Sequence, residues 1–66
     1  MNTYQEIQIM RNRCESMILS MVGKDYANTW WNSPNKAFQG KTPNEVFDTD
    51  PEQVYDYIIG HINGYG

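Results

Sequence analysis

The single cysteine, Cys14, and the single histidine, His61, carry the most reactive side chains in this chain. A nucleophile–base pair would need Cys14 or a serine beside His61, with a third group orienting the base. Cys14 falls on an apolar stripe, where a thiol is neutral and buried. His61 falls in the last turn of a C-terminal helix, where a positive charge suits the helix dipole. One Cys and one His so far apart show no metal-ligand spacing. Asp48, Asp50 and Glu52 are close in sequence, yet they lack the length and the glycine of a calcium loop. Gly60, Gly64 and Gly66 follow no strand, so there is no phosphate-cradling loop. The residues therefore read as a non-enzyme, with no catalytic residue, no metal and no cofactor.

The elements that position these side chains must fit in 66 residues, which is one small domain, 1–66. Hydrophobic residues make up 39% of the chain and aromatic residues 14%, enough to form a core and too many for disorder. The net charge is -3, which argues against a nucleic-acid-binding module with a basic face. The charge is also divided. All the basic residues (Arg11, Arg13, Lys24, Lys36, Lys41) precede position 42, while Glu45, Asp48, Asp50, Glu52 and Asp56 follow it with no Lys or Arg. One cysteine forms no internal disulfide. The chain shows neither an apolar run near the ~18 residues of a membrane span nor a signal-peptide pattern. The expected setting is the cytoplasm, with no membrane partner.

Periodicity predicts an all-α fold. Ile7, Met10, Cys14, Met17, Ile18 and Met21 recur at steps of three and four, giving a long N-terminal helix over about 3–22 within segment 1–23. Its three methionines suit either a core or an adaptable partner-binding face, and its charge support is thin. Gly23 is its stop. A short helix over 24–32 follows, with Tyr26, Ala27, Trp30 and Trp31 at helical spacing. Ser33 then reads as an N-cap with Pro34 at the first helical position, opening a single turn over 35–38 that Gly40 ends. Thr42-Pro43-Asn44-Glu45 is a capping box with proline in the first turn. Asp50-Pro51 opens a C-terminal helix by the same device, with Val54, Tyr55, Ile58, Ile59 and Ile62 as its buried stripe and Gly64 near its end. Strand signals are missing. The expected architecture is a small helical bundle: one long N-terminal helix, two or three short helices and a C-terminal helix.

Trp30-Trp31, Pro34-Asn35, Ala37-Phe38, Gly40-x-Thr42-Pro43, Val46-Phe47, Asp48-Thr49 and the closing helix to Gly64 stand in an order and spacing that resembles a known domain. It is the toxin-binding domain of the Xre/MbcA/ParS family of bacterial antitoxins, and the resemblance covers 26–64. The family pattern runs from a tryptophan and a large apolar residue through Pro-Asn, Ala-Leu and Gly-Gly-x-(Ser/Thr)-Pro. An apolar pair, an acid-Thr step and a final helix complete it. Gln39 stands in place of the first glycine and Asn44 in place of the usual leucine, while Asp50-Pro51 occupies a stretch that normally holds glycine. The twenty-odd residues ahead of the module leave no room for the helix-turn-helix domain of Xre-type relatives, so DNA autoregulation is not carried over. Capping by Pro34-Asn35 and Thr42-Pro43 accounts for much of the motif as architecture, leaving Trp30, Pro34, Asn35, Phe38, Gly40, Thr42, Pro43 and Glu45 as its structural residues.

The resemblance implies a protein-binding module that packs against a partner enzyme, often a RES-type toxin consuming NAD, and blocks its active site. The expected contacts are Trp31, Asp56, Tyr57, His61 and Tyr65. Two neighbouring tryptophans about 100° apart do not both fit inside so small a chain, so Trp30 is assigned to the core and Trp31 to an interface. Tyr55 joins the tyrosine contacts, since tyrosine is enriched at interfaces. The acidic C-terminal half complements a basic nucleotide-binding cleft, and burial of a shared face favours a homo-oligomer, expected to be a homodimer. The alternatives are a phage- or plasmid-encoded accessory protein inhibiting a host or defence enzyme, a nucleic-acid-binding helical module, and a self-assembling structural protein.

Overall fold

A computed structural model describes residues 3–63. It contains α1 (Tyr4–Val22), α2 (Lys24–Asn32), a 3-10 turn (Lys36–Phe38), α3 (Pro43–Thr49) and α4 (Pro51–Ile62). Among the described residues there is no strand. The all-α bundle therefore stands as expected, and helix bounds fall within a residue or two of those read from periodicity.

Each helix begins for a local reason. The Thr3 hydroxyl accepts the Glu6 amide at 3.1 Å, and the Glu6 carboxylate accepts the Thr3 amide at 2.8 Å. The same reciprocal pair joins Thr42 and Glu45, with the same two distances, and Pro43 occupies the first turn where no amide donor is needed. The Thr42 box is the one expected. The Thr3 box uses the same Thr-x-x-Glu pattern, which the sequence displays equally plainly. Between α1 and α2 the chain turns on Gly23, whose φ of 88° belongs to the region that side chains avoid.

Two expected starts are built differently. Ser33 does not cap the turn after it. Its hydroxyl donates back to the Thr29 carbonyl at 2.7 Å, and Ser33 closes α2. The cap of the 3-10 turn is Asn35, whose Oδ1 accepts the Ala37 amide at 2.9 Å, so Pro34 lies in the extended link before the turn. Asp50 occupies the position before α4, but its side chain makes no capping bond. Its amide instead donates to the Val46 carbonyl at 2.7 Å, finishing α3. Gln39, rather than Gly40, ends the 3-10 turn, with φ 59°; Gly40 follows at φ 84°.

α1 packs against α2 and α4, and α3 packs against α4 and α2. The core consists of Cys14, Ile18, Trp31, Phe38, Val46, Phe47, Val54 and Ile58, with Pro43 also buried. Burying each of the fully enclosed aliphatic side chains Ile18, Val54 and Ile58 contributes about 1.5–3 kcal/mol. Of the predicted α1 stripe, Ile7, Met10 and Met17 are half-buried around this core, and Met21 is exposed. The α4 stripe narrows similarly: Val54 and Ile58 are enclosed, Tyr55 and Ile59 half-buried, and Ile62 exposed.

The tryptophan assignment is reversed. Trp31 is 5% exposed and belongs to the core, meeting Phe47 edge-on at 6.2 Å, while Trp30 is only half-buried. The two indoles stand perpendicular, 5.1 Å between centroids. The rotation of α2 decides this, and it is set by α1 and α3, which grip Trp31 from both sides.

Candidate protein-interaction surface

The acidic residues are displayed by a short, firmly seated pair of helices. Val46 and Phe47 pin α3 to the core, and Val54 and Ile58 fix the rotation of α4. Asp56 lies two positions from each of Val54 and Ile58, about 200° around the helix, and so faces outward. Asp48, Asp50, Glu52 and Asp56 are all exposed, and among the described residues none takes part in an ion pair. Glu45 is exposed too, but its carboxylate is engaged at the Thr42 amide. That bond holds its pKa below the ordinary glutamate value.

Of the expected contacts, the structure brings Tyr57 and His61 together and sets Asp56 on the adjoining outward side of α4. Tyr57 is half-buried, with its ring 5.1 Å from Phe38 on one side and 4.3 Å from the His61 imidazole on the other. His61 is exposed, and its Nδ1 lies 3.1 Å from the Tyr57 carbonyl oxygen. A carbonyl only accepts, so Nδ1 carries the proton in this contact and His61 ties the last turn of α4. Trp31 is enclosed and does not belong to this surface. Tyr65, like Gly64, lies outside the described residues.

The remaining motif residues form the connection beneath the surface. Phe38 is enclosed against Tyr57, and Pro43 is buried at the head of α3. Asn35 and Lys41 close the intervening loop, the Asn35 amide donating to the Lys41 carbonyl and the Gly40 amide to the Asn35 carbonyl, each at 3.0 Å. Trp30 borders the core beside Trp31.

Cys14 is fully enclosed, and desolvation pushes its thiol pKa up to about 11. A thiol held protonated through neutral pH is a poor nucleophile. No group of three or more His, Cys, Asp or Glu residues able to hold a metal occurs among the described residues. None of the helices described there is long and apolar enough to cross a membrane.

A second polar feature joins α1, α2 and α3, and no local pattern in the sequence announces it. The Arg11 guanidinium lies over the Trp31 ring, 3.7 Å from its centroid, and 5.2 Å from the centroid of Phe47. Its Nε donates to Glu15 at 2.8 Å, an i,i+4 ion pair that gives α1 more charge support than its pattern suggests. Its Nη2 donates to Asn44 Oδ1 at 2.7 Å. Asn44 in turn donates to Asn32 Oδ1 at 2.9 Å, joining α1, α3 and α2. The available signal was rotational: Arg11 follows Ile7 by four positions and precedes Cys14 by three, on the edge of the apolar stripe.

A shallow groove of about 410 Å3 also runs between α1 and α4, lined by Ile9, Asn12, Arg13, Ser16, Met17 and Tyr55.

Compared with protein-family models, curated proteins and solved structures, the chain matches none.

Proposed function

We propose that this chain is a small protein-binding module of antitoxin-like type, which seats its acidic C-terminal half on a partner enzyme and occludes that enzyme's active site. The observation that carries the reading is the set Asp48, Asp50, Glu52 and Asp56. All four are exposed, they lie on α3, on α4 and at the junction between them, and no Lys or Arg occurs after position 41 to neutralise them. Such a surface complements a basic nucleotide-binding cleft and speeds encounter with it. Tyr57 and His61 supply an aromatic edge beside Asp56, and the sequence resemblance of 26–64 to the Xre/MbcA/ParS toxin-binding domain names the class of partner. The module acts in the cytoplasm as a homo-oligomer, a setting in keeping with an enclosed, unpaired Cys14.

The test is reconstitution. Tagged protein is recovered from its native cell, its enzyme partner identified and purified, and the enzyme assayed with increasing amounts of the chain, while light scattering reports the oligomeric state. Stoichiometric inhibition that weakens in Glu52→Lys/Asp56→Lys and with rising salt supports the reading. An enzyme partner encoded beside the chain assigns an antitoxin, and a host defence enzyme assigns an accessory inhibitor. A clean homo-oligomer that inhibits no enzyme replaces both with a structural role.

A further inference from the structure

The polar network around Arg11 has a direction. Guanidinium groups only donate, so Asn44 must present Oδ1 to Arg11 Nη2 at 2.7 Å. That leaves Asn44 Nδ2 to donate to Asn32 Oδ1 at 2.9 Å. Asn32 Nδ2 is thereby turned towards Asn28, where it donates to the backbone carbonyl at 2.9 Å and lies 3.4 Å from Oδ1. Each amide orients the next, and the chain ends with Asn28 Nδ2 as an open donor. Three of the four side-chain acceptors along this path are amide oxygens already engaged. The fourth group, the Glu15 carboxylate, is held at 2.8 Å by Arg11 Nε. Arg11 Nη1 has no partner among the described residues and is not shut away from solvent.

Arg11 and Asn28, which carry these open donors, help to line a depression of about 340 Å3 between α1, α2 and α3, with Lys24, Asn44, Trp31 and Leu19 also in its wall. Lys24 makes no ion pair among the described residues. Two cations stand there against the single carboxylate of Glu15, so the site lacks one negative charge. Its lining also offers apolar surface, the rim of Trp31 and the half-exposed Leu19. Together, surplus N–H donors, one uncompensated positive charge and an apolar wall fit a carboxylate carried on an aliphatic stem.

We propose that the depression over Trp31 receives a glutamate or aspartate side chain from an acidic peptide segment of a protein partner, gripped by Arg11, Lys24 and the Asn28 amide. The proposal does not depend on the enzyme-inhibitor reading.

The probe is N-acetyl-Leu-Glu-amide, titrated into the full chain at millimolar concentration while the two indole N–H resonances are followed by NMR. The Trp31 signal is expected to shift saturably, and Trp30 to shift less. N-acetyl-Leu-Gln-amide should bind about tenfold more weakly, having lost its charge-assisted hydrogen bonds. Lys24→Gln should weaken the Glu peptide about two- to fivefold, the scale of an exposed ion pair. Asn28→Asp keeps the oxygen facing Asn32 but turns the open donor into a carboxylate, and should weaken the Glu peptide at least as much as Lys24→Gln. Both residues are exposed, so both variants should fold. Equal binding of the Glu and Gln peptides, an unmoved Trp31 signal, or undiminished binding in both variants would overturn the proposal. So would inorganic phosphate or acetate reproducing the full shift at the peptide's affinity, which would make the depression a general anion site.

Discussion

Arg11 and Trp31 are stacked across the junction of α1 and α2, with the guanidinium carbon 3.7 Å from the indole centroid. The pairing solves two problems at once. Trp31 gains a cover that leaves it 5% exposed, and Arg11, held flat, has its fork aimed at Glu15 and Asn44. Arg11→Met retains much of the stem but loses the cation–π contact and the hydrogen bond to α3. The expected loss in chemical denaturation is about 1–3 kcal/mol. Arg13→Met, on an exposed residue, should stay within about 0.5 kcal/mol. Equal effects would show that the Arg11 contacts contribute nothing beyond surface charge.

The two tryptophans should separate cleanly. Trp31→Ala opens a cavity at the point where α1, α2 and α3 meet, and should cost about 3–5 kcal/mol, enough to leave so small a domain largely unfolded. Trp30→Ala removes a half-buried side chain and should leave a folded protein of reduced stability. In single-tryptophan variants made with phenylalanine, acrylamide should quench Trp30 fluorescence more than Trp31 fluorescence. The reverse order would restore Trp31 as a surface residue.

What the sequence made legible is what depends on near neighbours. Thr42 and Glu45 are three residues apart and their bonds are reciprocal, so the start of α3 could be read directly. Helix-phase apolar spacing likewise marked Cys14, Ile18, Val54 and Ile58 as core. Ser33 and Asn35 show the limit of local reading, because both are good caps flanking Pro34. In the fold Asn35 takes the cap, while Ser33 Oγ turns back to the Thr29 carbonyl. The rotation of α2, and with it the exchange of Trp30 for Trp31, depends on contacts from two other helices. The Arg11–Asn44 bond spans 33 positions, and no linear spacing announces it.

Gln39 takes a left-handed backbone, φ 59°. A side chain there costs about 1–2 kcal/mol, whereas glycine avoids that strain but loses about 0.4–1 kcal/mol through its freer unfolded chain. Gln39→Gly should therefore stabilise the protein by up to about 1.6 kcal/mol, and Gln39→Val should destabilise it. A denaturation midpoint that falls in Gln39→Gly would remove the left-handed assignment.

The two capping boxes make stability depend on pH in a defined direction. The carboxylates of Glu6 and Glu45 have pKa values lowered from 4.5, chiefly by the backbone amides of Thr3 and Thr42. Because the folded pKa lies below the unfolded one, the contribution is fully present above the unfolded value and is lost as pH falls through the folded value. Carboxylate resonances followed by NMR should show both glutamates titrating below ordinary glutamate. In Thr42→Ala the backbone amide remains, so Glu45 should stay below the ordinary value and rise only by the hydroxyl's lesser share, while Glu6 does not move. The same substitution should cost about 0.5–2 kcal/mol through the lost cap. A Glu45 that titrates at the ordinary value in the unsubstituted chain would mean that the box does not hold α3 in solution.

Cys14 gives an independent measure of how tightly α1 closes on the core. Its thiol is fully enclosed, with a pKa raised from 9.0 to about 11 by desolvation. A disulfide reagent at pH 8 should leave Cys14 unmodified in the native chain and react at once in denaturant. Any slow native reaction should follow the rate or population of opening, and Arg11→Met should accelerate it. Folding also keeps the proton on the thiol when the unfolded chain would release it. The stability contributed by that difference is fully present below pH 9, and it declines between 9 and 11 as the unfolded thiolate forms. Replacing the thiol with alanine should abolish this part of the alkaline decline while lowering stability at neutral pH through the cavity it leaves. Rapid modification of the native protein at pH 8 would instead place Cys14 at an accessible surface of α1.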